Sequence, residues 1–280
     1  MRRSGARCRG WLSSHHGQPP ANQAIGGSGL AKSRRTAPLC CRAILTCAGY
    51  QGDFAVEQDE LEQQVQAIYS RVNMLWNKHK SAVFEGHCGF HILSGPPIYQ
   101  PELLIVGANP GFGSNDRIAD VPETWPKESY IKTAVWPLAE RLRALLHMAG
   151  RLDILERTLQ TNFLFFKSHS LDKQPPYGWK TAPINTRREI ETCCRAEVAK
   201  IINLIRPKMI LVLGLAVFDK HAIVEKNELW DRAHVRRLAA SGKVDGVDAI
   251  GITHPTGAQV ATEDWSRVAK YLANRIALTT

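Results

Sequence analysis

The fold is decided by the stretch LLIVGANPGFG at residues 103–113. Its first four residues form a short apolar run bounded by glycine and proline, which is typical of a buried strand. The glycines and the proline that follow have little helical tendency, so the chain is expected to turn there. In that turn only Asn109 and Phe112 carry side chains that can reach a ligand. The stretch therefore predicts a strand that delivers a binding site at its carboxyl end.

Three further strands are predicted along the chain, at residues 161–166, 209–213 and 248–253. Helical patterns lie between and around them, at residues 54–79, 131–149 and 186–205, after Gly214, and from Thr262 onward. Strands that alternate with helices indicate a parallel sheet covered by helices on both faces. The sequence therefore predicts one α/β domain over residues 53–280, a three-layer α/β/α sandwich around a central four-stranded parallel sheet.

The formal charge of +10 suggests a nucleic-acid partner, but most of it lies in one segment. Residues 1–52 contain eight Arg or Lys residues and no acidic residue. The remaining 28 basic and 26 acidic residues nearly balance, so any nucleic-acid surface on the domain must be a local patch. This basic arm has no hydrophobic periodicity and is predicted to be disordered. It is interpreted as an organelle transit peptide, a non-native extension or a nucleic-acid-binding tail.

The cysteines and histidines give no strong metal signal. There are seven cysteines and no secretory signal with an apolar core, so a reducing compartment without disulfides is predicted. The group His87, Cys88 and His91 lacks a fourth ligand nearby, which favours a loop with incidental histidines over a zinc site. No apolar run approaches the ~20 residues of a membrane span, so no membrane partner is expected.

Polar side chains accompany the carboxyl ends of three predicted strands. Asn109 follows the first strand, Asn162 lies in the second, and His254 opens the turn HPTG after the fourth. Each alone has an ordinary explanation, as a turn former, a satisfied amide or a turn histidine. Ligands of parallel sheets bind outside the carboxyl ends of the strands, so the three together predict a shared site.

Other nucleotide and esterase motifs are absent from the sequence. The glycines at 107, 111 and 113 do not have the Gly-x-Gly-x-x-Gly spacing of a dinucleotide site. No Gly-Lys-Ser/Thr follows them, as a phosphate loop requires. There is also no Gly-x-Ser-x-Gly elbow for an esterase.

The two turns resemble the paired motifs of the uracil-DNA glycosylase superfamily. GANPG at 107–111 is similar to the first motif of the mismatch-specific and single-strand-selective branches, which carry Asn where other branches carry Asp or Glu. HPTG at 254–257 is similar to the last motif, and residues 162–214 resemble the iron–sulfur branches. Those branches need four cysteines, whereas here Ser168 stands near one expected position and no Cys-x-x-Cys precedes the first motif. No metal, cluster or organic cofactor is therefore expected.

The resemblance implies a role for each polar residue. Asn109 would position a water near the sugar C1′, as an amide that orients water but is a poor general base. Asn162 would read the base by donating to O4 and accepting from N3–H, a pattern that fits uracil and rejects cytosine. His254 would donate to O2 of the departing base, and one such donor is worth about 10²–10³ in rate.

Further contacts follow from the same resemblance. Phe112 would stack on the flipped base, with Trp136 or Tyr130 as alternatives. Other substrate contacts are expected from Gly107, Ala108, Pro110, Gly111, Pro255 and Thr256. DNA contacts are expected from Gly257 and Gln259. Candidate phosphate contacts, with solvated surface as the alternative, are Lys167, Lys173, Lys180, Arg232, Arg236 and Arg237. The last turn, residues 256–260, lacks a bulky Leu or Arg wedge, which favours a weak or single-strand activity.

The expected function is a monofunctional DNA glycosylase of base excision repair that flips deoxyuridine and hydrolyses its N-glycosidic bond. Neither motif contains a lysine, so no Schiff-base lyase step is expected. The expected partner is uracil-containing single-stranded or mismatched DNA, bound by a monomer. Two alternatives stay open: a non-catalytic binder of nucleic acid or nucleobase, and a glycosylase for hypoxanthine or xanthine. The expected compartment is the bacterial cytoplasm with its nucleoid, or the mitochondrion or nucleus if the arm is a targeting segment.

Overall fold

The apolar run of the opening stretch forms strand β1, Leu103–Gly107, and all five of its residues are buried. The computed structural model describes residues 58–83, 89–111, 123–168 and 179–278. The helices there are α1 Gln58–His79, α2 Tyr130–Thr133, α3 Pro137–Met148, α4 Ile184–Ile205, α5 Leu215–His221 and α6 Thr262–Ala277. The other strands are β2 Thr158–Asn162, β3 Ile210–Leu213, β4 Ile223–Trp230, β5 Arg237–Val244 and β6 Val247–Ile252. The predicted basic arm lies outside the described residues.

The strands form one mixed six-stranded sheet in the order β2-β1-β3-β6-β5-β4. The strands β2, β1, β3 and β6 pair with parallel neighbours. β5 pairs antiparallel with both β6 and β4. The α/β class is confirmed, but the sheet has six strands and mixed direction instead of four parallel strands.

The two additional strands replace a predicted basic connection between α5 and β6. β5 is joined to β6 through Asp245 and Gly246, whose φ angles are 48° and 84°. Asp-Gly at a two-residue turn with positive φ is a strong hairpin signal, because such turns match the twist of the flanking strands. The glutamates of β4, Glu225 and Glu228, suit an edge strand, where charged residues discourage pairing with another chain.

Strand β2 lies earlier in the sequence than predicted. The aromatic run placed it at residues 161–166, whereas the strand spans Thr158–Asn162. Its two threonines are buried because their hydroxyls have partners: Thr158 Oγ1 donates to the Ile154 carbonyl and Thr161 Oγ1 to the Ile92 carbonyl, each at 2.8 Å. The aromatic residues after it are also buried, as Phe165 and Phe166 have no exposed surface. As a result, Asn162 ends the strand instead of beginning it.

Side chains of β1 point alternately into two apolar clusters. Leu104 and Val106 pack in a cluster with residues of α1 and α4, and this side is called the α4 face. Leu103 and Ile105 pack in a cluster with residues of α3 and α6, and this side is called the α3 face. Apolar packing therefore occupies both faces of the sheet, and ligands have access at its edges.

The predicted helix 131–149 is divided in two. Trp136 occupies the N-cap position of α3, and Pro137 is its first helical residue, where a missing N–H costs nothing. In α4 the inward cysteine is Cys194, whereas Cys193 is exposed. No helix in the described ranges combines the length and apolarity that crossing a bilayer requires.

Candidate functional site

The three predicted polar residues lie at the carboxyl ends of parallel strands. Asn109 follows β1, Asn162 ends β2 beside Gly107, and His254 follows β6. Because these strands run in the same direction, their carboxyl ends share one edge of the sheet. β3 separates β1 from β6, so the strands that carry Asn109 and His254 are about 10 Å apart.

Strand alternation places Asn162 on the α3 face. Ile105 belongs to the α3-face cluster, so Gly107, two residues further along β1, continues on that face. Asn162 is the register partner of Gly107 and shares its face. Asn109 and His254 each follow the last residue of their strand by two positions, at the same edge of the sheet.

Gly107 makes room for the amide of Asn162. A Cβ added at residue 107 would stand closer than 3.0 Å to Asn162 Oδ1, a contact that real Cβ atoms essentially never make. Asn162 is only 5% exposed. A carboxamide carries both a donor and an acceptor, so this one is suited to a ligand that offers both.

Asn109 is held by the segment that follows β2. Its Nδ2 donates to the Pro110 carbonyl at 3.0 Å and to Ser168 Oγ at 2.8 Å. Both amide protons are therefore engaged, and Oδ1 is left as the acceptor. Ser168 is 2% exposed, and its N–H donates to the Pro110 carbonyl at 3.2 Å. The arrangement fixes an amide oxygen that can accept a hydrogen bond from water but cannot take its proton.

The contacts of His254 fix its tautomer. The Thr256 N–H and hydroxyl lie 3.4 and 3.1 Å from Nδ1. A backbone N–H can only donate, so Nδ1 is the acceptor and the proton of the neutral ring is on Nε2. Burial lowers the pKa of His254, which keeps the imidazole neutral at pH 7. The site therefore contains a neutral Nε2–H donor.

Two arginines hold the turn that follows His254. Arg141 of α3 donates from Nη1 to the Pro255 carbonyl at 2.8 Å. Arg236 donates from Nη1 to the Gln259 carbonyl at 2.5 Å. These two hydrogen bonds fix the turn to α3 and to Arg236, the residue before β5. Arg141 carries no sequence signal for this role, because its motif partner is 114 residues away.

The remaining predicted residues fall into different surroundings. Pro255 is buried, Ala108 and Pro110 are half-buried, and the exposed members are Gly111, Thr256, Gly257 and Gln259. Trp136 is 50% exposed at the start of α3, and Tyr130 is half-buried in α2. Phe112 and Lys173 lie outside the described residues.

The predicted phosphate contacts differ in their exposure and in the residues that they contact. Arg232 and Lys180 are exposed, and Lys167 is half-buried beside Ser168. Arg236 is exposed, although one of its N–H groups holds Gln259. Arg237 is held between Asp219 and Glu228, with Nη1 donating to Glu228 at 2.8 Å. These two carboxylates favour a structural role for Arg237 over the predicted phosphate contact.

A cavity of about 280 Å³ opens beside the first motif but on the α4 face. Of the motif residues only Ala108 lines it, so it is not the space above Gly107. In the described residues no group of three or more His, Cys, Asp or Glu side chains could hold a metal ion. His91 of the predicted histidine group pairs through Nε2 with Ser94 Oγ at 3.0 Å, and His87 and Cys88 lie outside the described residues.

Comparison with known proteins adds no assignment. No protein-family model matches the chain. A search of curated proteins likewise finds no significant match.

Proposed function

We propose that the chain is a monofunctional DNA glycosylase that hydrolyses the N-glycosidic bond of deoxyuridine in DNA, acting as a monomer in base excision repair. One observation supports the proposal: Asn109, Asn162 and His254 lie at one edge of the sheet, at the ends of three parallel strands, and Asn162 lies against Gly107. We also assign the fold to the three-layer α/β/α sandwich of the uracil-DNA glycosylase superfamily. The parallel order β2-β1-β3-β6 and the apolar clusters on both faces support that assignment.

Asn162 reads the base. A carboxamide donates through nitrogen and accepts through oxygen, which matches O4 and N3–H of uracil. Cytosine has a donor at the first of these positions and an acceptor at the second, so it leaves both groups of Asn162 unpaired. A site built to hydrogen-bond one pattern rejects the reverse strongly, because the buried groups lose their partners.

His254 stabilises the leaving group. As the bond between C1′ and N1 breaks, its electron pair moves to the base and negative charge develops at O2. The Nε2–H of the neutral ring donates to that oxygen, which supplies stabilisation in the transition state more than in the ground state. Thr256 keeps the ring in the tautomer that makes this possible.

Asn109 orients the attacking water. Its Oδ1 accepts one water O–H, which directs a lone pair of the water toward C1′. The new C1′–O bond replaces the C1′–N1 bond, the base leaves as an anion, and the proton of the water passes to solvent. Because the first motif, residues 107–111, contains no carboxylate, the rate is expected to be modest. The position of the Asn109 acceptor, fixed by Ser168, then becomes more important.

Extruding a nucleotide costs a few kcal/mol in a duplex and least in single-stranded or mismatched DNA. The turn at 256–260 has no bulky residue to fill the vacated space. Single-stranded or mismatched DNA is therefore the proposed substrate.

The test uses oligonucleotides that each contain one uracil, hypoxanthine or xanthine, single-stranded and in duplex, followed by alkaline cleavage of abasic sites. Cleavage at uracil by the parent, lost in His254→Ala and Asn162→Ala, is the expected result. His147→Ala is the matched control, because His147 is an exposed histidine in the last turn of α3 and belongs to neither motif. Absence of abasic product from every substrate would remove the enzyme proposal.

The alternatives have distinct outcomes in the same assay. A glycosylase for other deaminated bases cleaves at hypoxanthine or xanthine but not at uracil. A non-catalytic binder, which the amide at position 109 favours, retains uracil-dependent DNA binding without any abasic product.

A further inference from the structure

The cavity on the α4 face has the size and the lining residues of a second binding site. It lies at the carboxyl edge of the sheet, one residue from Asn109, since Ala108 forms part of its wall. Its volume of about 280 Å³ is close to the lower end of the range for small-molecule sites, roughly 300–1,000 Å³. Apolar walls come from Phe163 and Leu164 after β2 and from Val217 of α5.

The described wall of this cavity carries an excess of positive charge. It contains three cationic side chains and one carboxylate, those of Lys180, Arg187, Lys220 and Glu191. Glu191 accepts from Trp179 Nε1 at 2.8 Å and from Lys220 Nζ at 3.5 Å, so it is oriented by the wall itself.

His221 adds no positive charge to the wall. Its ring stacks on Phe163 with the centroids 3.9 Å apart. Burial, and then the charge of Lys220, lower the pKa of His221 to about 4, so it is neutral at pH 7. The described wall therefore has a net charge of +2.

Arg187 supplies an unused donor. Its Nε is buried and has no hydrogen-bond partner among the described residues. Buried N–H groups of folded proteins nearly always have a partner, and a planar guanidinium pairs best with the oxygens of a phosphate or carboxylate. An anionic oxygen in the cavity would satisfy this group.

We propose that the cavity binds the phosphate monoester of a nucleotide. Such a phosphate carries about −1.5 to −2 charge at pH 7 and three strong acceptor oxygens, which match the net +2 and the donors of Arg187 and Lys220. A carboxylate or a phosphodiester carries only one negative charge. The apolar walls then contact the sugar or base. The site is distinct from the space above Gly107 and does not rest on the proposed glycosylase activity.

A phosphate monoester of this kind occurs both in a free mononucleotide and at the 5′-phosphorylated end of a DNA strand. Calorimetric titration of the full chain at pH 7.5 compares dTMP with thymidine, and a 5′-phosphorylated thymine pentanucleotide with its 5′-hydroxyl form. None of these probes contains deoxyuridine, so failure of the glycosylase proposal leaves the result intact. We expect dTMP to bind at least tenfold more tightly than thymidine. A matching preference among the pentanucleotides identifies a strand end, and its absence identifies the free nucleotide.

Arg187→Gln is expected to weaken dTMP binding about tenfold or more. Arg188→Gln is the matched control, since Arg188 is the exposed neighbour on α4 and does not line the cavity. Thermal unfolding checks that both variants are folded. The proposal is overturned if the parent binds neither phosphorylated probe, if dTMP and thymidine bind equally, or if folded Arg187→Gln binds dTMP as the parent does.

Discussion

Replacing Gly107 by alanine tests whether this glycine exists to seat the amide of Asn162. The added Cβ would stand closer than 3.0 Å to Asn162 Oδ1, whereas ordinary van der Waals contact begins at 3.4 Å. The amide must therefore move by a sizeable fraction of an ångström, and a displacement on the order of 1 Å in a reacting geometry costs about 10² in rate. We expect kcat/KM on a single-stranded uracil oligonucleotide to fall about 100-fold, which corresponds to about 2.7 kcal/mol.

A double-mutant cycle makes this prediction specific. Asn162→Ala removes the group that the new methyl displaces, so Gly107→Ala is expected to have little further effect on kcat/KM in that background. Urea unfolding identifies variants that have lost activity by losing the fold. Independent, multiplicative losses from the two substitutions would refute the reasoning, as would a folded Gly107→Ala enzyme with the rate of the parent.

Three further predictions concern other residues. Ser168→Ala leaves one amide proton of Asn109 without its acceptor, and since one hydrogen bond contributes about 0.5–1.5 kcal/mol, single-turnover kcat is expected to fall roughly 2- to 13-fold with KM unchanged. Burial, and then the charge of a nearby lysine, lower the pKa of His91 to about 4. The unfolding free energy measured in urea is therefore expected to fall by about 3 kcal/mol between pH 6.5 and 4. This fall is expected to be absent in His91→Gln. Gly251→Ala drives a Cβ into the Phe218 ring, and it is expected to lower the urea unfolding free energy by about 1–3 kcal/mol.

The sign of the pH effect follows from the two states of His91. The folded chain keeps this imidazole neutral down to about pH 4, whereas the unfolded chain takes up the proton near pH 6.5. The stabilisation is therefore complete above pH 6.5 and is lost as the pH falls. An unchanged profile in His91→Gln, an unchanged kcat in Ser168→Ala, or full stability in Gly251→Ala would contradict the respective argument.

The buried parallel strands were predictable because their apolar runs are short and end in glycine. Residues 103–106 and 209–213 lie within one residue of the observed β1 and β3. Strand β2 was misplaced, because its polar threonines are satisfied by carbonyls that are distant in sequence or in the preceding turn. Such partners cannot be read from a pattern of apolar residues.

The antiparallel strands β4 and β5 were missed, although Asp245-Gly246 signalled the turn between β5 and β6. The basic residues around it suggested a solvated connection, whereas Arg237 is neutralised by two acidic partners. The placement of Asn109, Asn162 and His254 at strand ends could be predicted, because parallel strands bring their carboxyl ends together. Ser168 and Arg141 could not, because their hydrogen-bond partners are far away in the sequence.

The central claim is that the edge formed by Asn109, Asn162 and His254 releases uracil from DNA. The most direct measurement quantifies free uracil and abasic sites together, from a single-stranded oligonucleotide that carries one labelled deoxyuridine. The account predicts equal amounts of the two products, an intact strand before alkali, and the loss of both products in His254→Ala. No free uracil from the folded parent chain, or equal release by His254→Ala, would contradict it.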